Sequence, residues 1–269
     1  MSPPSDPAPV GDAEAAQDAS TIVFTVADDV ATVVLNRPAK RNAMDAAMAV
    51  DLAAVLDDLQ GARALVLTGD LRAFSAGADL SAMRTDADES PSQKWRPLLR
   101  RLAALPLPTI AAIEGWCLGG GLELAMTFDL RVASCTAQLG LPEVTRGIYA
   151  GGGGVSRLPR LIGPTRGKQL LFTGKPIDGV TACDWGLVNE VVEEGQALAR
   201  ATELARELAR GATRAIAVIK GIVDDGAGLP VDAALDLEEA RGALLAGSVD
   251  SVEGIRAFME RRPAQFVGR

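Results

Sequence analysis

The sequence predicts an α/β fold with a largely parallel sheet, and three observations carry that reading. Short β-branched or apolar runs alternate with segments whose apolar residues recur at helical spacing, an order that buries strands between helices. The runs 64–68 and 109–113 are nearly continuous in apolar residues, as strands covered on both faces are. With 48% hydrophobic and 23% charged residues among 269, the chain has the means to bury one substantial core.

The elements follow in order. Residues 1–20, rich in Pro, Ala and Asp, are expected as a disordered tail, because they hold too little apolar surface to offset their ordering entropy. They show neither a basic segment nor an apolar one like those of a leader, so the cytoplasm is the expected compartment. Residues 21–26 and 30–35 flank Ala27-Asp28-Asp29 and predict an antiparallel hairpin. Asp45 precedes Met48, Leu52, Val55, Leu56 and Leu59, which share one face of a helix, and the strand 64–68 follows. A loop over 69–90 leads to a helix near 92–104 and a strand at 109–113. Gly119-Gly120-Gly121 then turns into a helical segment at 122–127, with a strand at 129–133. From Pro164 the pattern is mainly helical, with one strand at 187–192 and helices near 197–210, 212–224, 231–245 and 249–261. This divides the chain into the tail 1–20, a core 21–205 and a helical region 206–269. The last carries Val231, Ala234, Leu235, Leu244, Leu245, Ile255 and Phe258 with little sheet to cover, a surplus expected to face another subunit.

Composition excludes several kinds of function. The 27 Lys and Arg against 35 Asp and Glu give a net charge of −8, which disfavours attraction to nucleic acid phosphates. The longest apolar run, 102–113, is interrupted by Pro106 and Pro108 and ends at Glu114, so no membrane span is expected. Cys117, Cys135 and Cys183 are too far apart for a CxxC metal site or a disulfide framework. The absence of histidine removes imidazole acid–base catalysis, Ser-His-Asp and Cys-His nucleophiles and histidine-ligated metals, and no metal is expected. No G-x-G-x-x-G lies in a βαβ setting and no G-x-x-x-x-G-K-[ST] is present, so nicotinamide enzymes and NTPases are disfavoured.

Three stretches place small residues beside helix starts: Ala73-Phe74-Ser75-Ala76-Gly77-Ala78-Asp79-Leu80, Gly119 to Glu123, and Leu141-Pro142-Glu143 running on to Gly147 and Gly151 to Gly154. Small residues let a ligand approach the backbone, and the free N–H groups of a first helical turn favour negative charge. Two such donors from separate loops suit a developing oxyanion, at about 3 kcal/mol each in the transition state. Taken singly, the glycine run is also explained by tight helix packing. Glu123 and Glu143 are likewise explained as first-turn residues complementing a helix dipole.

In combination these stretches resemble the enoyl-CoA hydratase/isomerase, or crotonase, superfamily from about Thr21 to the C-terminus. The likeness rests on Leu35-Asn36-Arg37-Pro38 with Asn42-Ala43-Met44, on the 73–80 stretch, and on Ile110-Ala111-Ala112-Ile113-Glu114-Gly115 leading into Gly119-Gly120-Gly121-Leu122-Glu123-Leu124-Ala125. Leu141-Pro142-Glu143, Gly147, Gly151 to Gly154, Arg157-Leu158, Leu171-Phe172-Thr173-Gly174, Ala182 and Gly186-Leu187-Val188 continue it in order. The resemblance implies a ClpP/crotonase-like spiral of ββα units with C-terminal helices that form a homotrimer or a dimer of trimers. It implies an acyl-CoA thioester as substrate, with coenzyme A entering only as part of that substrate and no separate cofactor. By position, the amides of Ala78 and Gly120 would form the oxyanion hole, Glu123 and Glu143 would be the catalytic carboxylates, and Gly151 would contact the water or carboxylate region. Coenzyme A contacts would come from Arg37, Lys40, Ala76, Asp79 and Leu80, with Phe258 and Arg261 from a neighbouring subunit. The implied activity is enoyl-CoA hydration. An isomerase or dehydratase of the same fold, or a non-catalytic CoA-binding scaffold, are the alternatives. Ala150, Tyr149 and Leu141 depart from the usual proline, aliphatic residue and glutamine near the acyl pocket. A polar or branched acyl group is therefore left open, and Tyr149 is a candidate polar pocket residue.

Overall fold

The computed structural model describes residues 20–82 and 91–268; all of the expected tail except Ser20 lies outside them. The chain opens with the hairpin β1 (Ile22–Ala27) and β2 (Val30–Leu35), paired antiparallel from Ile22 against Leu35 to Ala27 against Val30. Its turn is made by Asp28 and Asp29 at φ 53° and 61°, a conformation Asp tolerates better than most residues. Helix α1 (Ala46–Asp57) starts where Asp45 accepts the Met48 N–H at 2.9 Å, and buries Met48, Leu52 and Leu56.

From there the chain winds between two sheets. It runs through β3 (Ala64–Thr68), β4 (Ala73–Ser75), α2 (Pro91–Ala103), β5 (Thr109–Ile113), β6 (Trp116–Leu118), α3 (Gly120–Ala125), β7 (Leu130–Ser134) and β8 (Gln138–Gly140). Next come α4 (Gly154–Ile162), α5 (Pro164–Thr173), β9 (Ile177–Asp178), α6 (Gly179–Asp184), β10 (Glu190–Val192) and the helices α7 (Ala197–Arg210), α8 (Thr213–Gly226), α9 (Val231–Gly242) and α10 (Val249–Glu260). The larger sheet has the order β1-β2-β3-β5-β7-β10, parallel beyond the hairpin; the smaller is β4-β6-β8-β9, with only its last pair antiparallel. Successive strand pairs β3/β4, β5/β6 and β7/β8 each place one strand in each sheet, which is the spiral of ββα units.

Alternation along the large sheet feeds two cores. Leu65, Leu67, Ala111 and Ile113 face the main cluster with Phe74, Leu99 and Leu122, whereas Val66, Ile110, Ala112 and Val132 face α7. That helix presents Ala197, Ala201, Ala205 and Ala209 at four-residue spacing, a flat stripe that lets it lie close on the sheet. Buried Glu114 caps its start by accepting the Ala197 N–H at 2.9 Å.

Several sequence expectations change here. The loop expected over 69–90 contains β4 and a 3-10 turn at Leu80–Ala82. The small sheet went unanticipated because its strands are two or three residues long, too short to show a period of two. The strand expected over 187–192 shrinks to Glu190–Val192, since the Leu187 and Val188 amides instead close the turn after α6 on the Ala182 carbonyl. The boundary drawn after residue 205 falls inside α7, whose packing on the sheet continues to Ala209. Among the described residues no helix is long and apolar enough to cross a membrane.

Candidate active site

The site grows from the point where β4 and β6 leave the small sheet side by side. After β4 the chain pairs with residue 44 as a parallel bridge: Met44 N–H donates to the Gly77 carbonyl at 2.8 Å, and Asp79 N–H donates to the Met44 carbonyl at 2.9 Å. Alternation along an extended chain therefore turns the Ala78 N–H away from Met44. After β6, Gly119 at φ 53° swings the chain into α3, leaving the N–H of Gly120, its first residue, without a helical acceptor. The two loops touch: a Cβ on Gly120 would stand 3.3 Å from the Ala78 nitrogen, and one on Gly77 3.1 Å from the Gly120 nitrogen. Two amides from different loops thus meet at one place, with glycine required at the contact.

Asn42 explains the Asn-Ala-Met motif. At φ 53° and fully buried, it accepts the Arg37 N–H at 2.9 Å and donates to the Ala73 carbonyl at 2.8 Å, while Ser75 Oγ donates to its carbonyl at 2.8 Å. The 37–44 loop is thereby pinned to β4, and through Met44 it sets the direction of the Ala78 amide.

Glu123 follows on the first turn of α3, 3% exposed. Its Oε1 accepts the Gly154 N–H at 2.8 Å, and a Cβ on Gly152 would reach within 2.6 Å of its Oε2. Burial pushes its carboxyl above the usual range, against the pull of the Gly154, Gly152 and Gly153 amides and of Arg157. Glu143 sits in the 3-10 turn Pro142–Arg146, started by Pro142 and ended by Gly147 at φ 71°. A Cβ on Gly119 would lie 2.9 Å from its Oε1, and its Oε2 is buried without a hydrogen-bond partner among the described residues. Burial, with the charge of Glu123 adding to it, pushes Glu143 up to about 7. Two carboxyl groups therefore face one space in unlike settings, one served by three glycine amides and the other, apart from its own amide, with an oxygen that has no partner among the described residues.

That space is a cavity of ≈ 470 Å³ reached by Ala76, Ala78, Leu80, Gly120, Glu123, Glu143 and Gly151, seven of the residues expected from sequence. Tyr149, a candidate pocket residue from the sequence, also lies there, and the structure adds Met44, Trp95, Leu99, Leu118, Arg146 and Ile148 to its walls. Trp95 and Leu99, four apart on one face of α2, are a spacing from which that wall could have been found. Five expected contacts lie outside the lining. Arg37 is turned to Asp45 at 2.9 Å and Asp79 at 3.1 Å, and also donates to the Ala43 carbonyl, so this pair braces the loop rather than facing the cavity. Asp79 also accepts Ser81 Oγ at 2.6 Å, which with Arg37 holds its carboxyl below the usual range. Lys40 is exposed in the turn Pro38–Lys40, while Phe258, 84% exposed, and Arg261 lie at the end of α10. Gly151 lines the cavity, but its carbonyl accepts from Arg96 at 2.7 Å; the amides serving Glu123 are those of the three glycines after it.

Residues 25–269 match the model of the enoyl-CoA hydratase/isomerase family. A relative from Mus musculus, enoyl-CoA hydratase domain-containing protein 2, mitochondrial, is 38% identical over 251 residues, covering 89% of this chain and 85% of its own. A crotonyl-CoA hydratase from Syntrophomonas wolfei is 35% identical over 258 residues, covering 92% and 98%. Among solved structures, an enoyl-CoA hydratase from Bacillus anthracis superposes with a TM-score of 0.88 at 33% identity, covering 93% of this chain and 100% of that one.

Proposed function

Because the chain belongs to the enoyl-CoA hydratase/isomerase family and has the crotonase fold, we propose that it is an enoyl-CoA hydratase, adding water reversibly across the α,β double bond of an enoyl thioester. The observation that carries this reading is the pair Glu123 and Glu143, facing one cavity beside the Ala78 and Gly120 amides with opposite support. The thioester oxygen binds the two amides, which stabilise the enolate character that develops as water attacks Cβ. Glu123, its anion held by backbone N–H groups, takes the proton from that water. Glu143, pushed by burial up to about 7, carries the proton that goes to Cα. One proton leaves water and one arrives at carbon, so the reaction balances once the two carboxyls have exchanged a proton.

The same reading gives the substrate's coenzyme end to the mouth of the cavity at Ala76 and Leu80, with Lys40 reaching its phosphates. Phe258 and Arg261 meet that end from a neighbouring subunit in a homotrimer or a dimer of trimers. No separate cofactor takes part. The test is to mix the purified protein with crotonyl-CoA and follow the absorbance of the conjugated thioester. Its loss with formation of the 3-hydroxyacyl thioester supports hydration; double-bond migration without water uptake moves the protein to the isomerase branch.

A further inference from the structure

A second cavity, ≈ 530 Å³, lies against the first, with Tyr149, Gly151 and Gly152 common to both linings. Its other walls hold Arg96 and Arg100 from α2 and Arg157 and Arg160 from α4. The division follows from helix periodicity: Trp95 and Leu99 of α2 line the first cavity, and the next residue after each, Arg96 and Arg100, lines the second. Four arginines, Arg157 half-buried and the other three exposed, line one space in a chain whose net charge is −8, so this is a local concentration and not a general basic surface.

Their contacts leave the positive charge in place. Arg96 donates to the Gly151 carbonyl at 2.7 Å, Arg157 to the Gly152 carbonyl at 3.5 Å and Arg160 to the Ser156 carbonyl at 2.5 Å, all neutral acceptors. None of the four forms an ion pair among the described residues. Arg157 is held below the usual guanidinium range, chiefly by burial and with Arg100 adding to it, against the pull of Glu123 and Asp224.

We infer that the arginine-lined cavity receives a carboxylate at the far end of the substrate's acyl chain, making the preferred substrate a thioester of an ω-carboxyl enoyl chain. The inference rests on the enoyl-CoA reading of the first cavity and adds the substrate class. An acyl group whose carbonyl lies at Ala78 and Gly120 passes Glu123 and Glu143 and leaves along the seam shared by the two cavities at Tyr149. A planar guanidinium fork pairs with a carboxylate through two hydrogen bonds, which a methyl terminus cannot offer.

The experiment compares full-length protein on two series of trans-2-enoyl-CoA thioesters of matched length, one ending in methyl and one in carboxylate, with the Arg100→Gln/Arg160→Gln double variant beside the wild type. Those two arginines are chosen because neither touches the Gly151 or Gly152 carbonyl. The expected result is a wild-type kcat/KM at least 10-fold higher for the carboxylate ending at the best length, with that ratio falling at least 10-fold in the double variant. Higher kcat/KM for methyl endings at every length overturns the inference and leaves hydration standing. So does an equal loss on both series in the variant, which would place the phosphates of coenzyme A among the arginines. Calorimetry with saturated acyl-CoA esters of both endings separates the two claims. If no thioester is hydrated yet the carboxylate ester binds more tightly in an arginine-dependent way, the subsite holds and the hydratase reading fails. Arginine-dependent stabilisation by free glutarate or inorganic phosphate, without any preference among the esters, would assign the cavity to a free anion and overturn the inference.

Discussion

At the residue scale, Glu143 is the most exposed to test, because its environment has a sign. Its folded-state value of about 7 lies above the ordinary 4.5, so the folded protein binds the proton more tightly than the unfolded chain between those pH values. Folding stability from this group is therefore present below about pH 4.5 and lost as pH rises through about 7. Unfolding midpoints of the wild type and Glu143→Gln should consequently diverge in favour of the variant across that window, and parallel curves would show that the carboxyl is not raised. If Glu143 donates the proton to Cα, wild-type hydration should also decline above about pH 7. Gly120 offers an independent probe. Its N–H is the proposed donor, and as the first residue of α3 it holds a position where proline is tolerated because that N–H serves no helical acceptor. Gly120→Pro, which removes the N–H, should lower kcat by about 100-fold, the size of one lost oxyanion donor. A folded Gly120→Pro protein with wild-type kcat would remove this amide from the mechanism.

At the element scale, the α7 stripe decides how closely the helix lies on the sheet. Ala205 is fully buried against it, and Ala205→Leu should destabilise the fold by about 1–3 kcal/mol in chemical denaturation through overpacking. A neutral result would mean that the helix can lift without cost. Elements also explain what was legible beforehand. The hairpin, β3, β5 and the helix 197–210 carry enough residues for period and capping signals, and they appear where expected. The small sheet was invisible, because β4, β6 and β8 are three residues each and are fixed by pairing with strands distant in sequence. The candidate site was legible in part: small residues beside helix starts point to amide donors and Glu123 and Glu143 stand out as carboxylates there, while only the family resemblance singled out the Ala78 and Gly120 amides and paired the two glutamates. Its walls were not, since Trp95 and Leu99 share a helical face at a spacing that any buried helix shows. Arg37 and Asp79 are ligand contacts by the family resemblance alone, and sequence cannot show that these two opposite charges 42 positions apart also meet each other.

At the scale of the whole molecule, the C-terminal helices leave apolar side chains uncovered: Val231, Leu235, Ile255, Phe258 and Met259 are 74, 56, 64, 84 and 77% exposed. Among the described residues nothing covers them, so the proposed trimer should depend on that surface. Ile255→Asp with Phe258→Asp should shift the protein to smaller species in sedimentation velocity. A wild type that is already monomeric and active at micromolar concentration would contradict both the assembly and the role given to Arg261. The account as a whole turns on two carboxylates serving one cavity. Its most direct test is the hydration rate of crotonyl-CoA by Glu123→Gln and Glu143→Gln, with CoA-ester affinity measured in parallel. Each variant should lose about 100-fold or more in rate, as general acid–base groups do, while affinity changes little because most of it comes from the remote nucleotide end. Either variant keeping its rate within a few-fold of an active wild type would contradict the two-carboxylate mechanism.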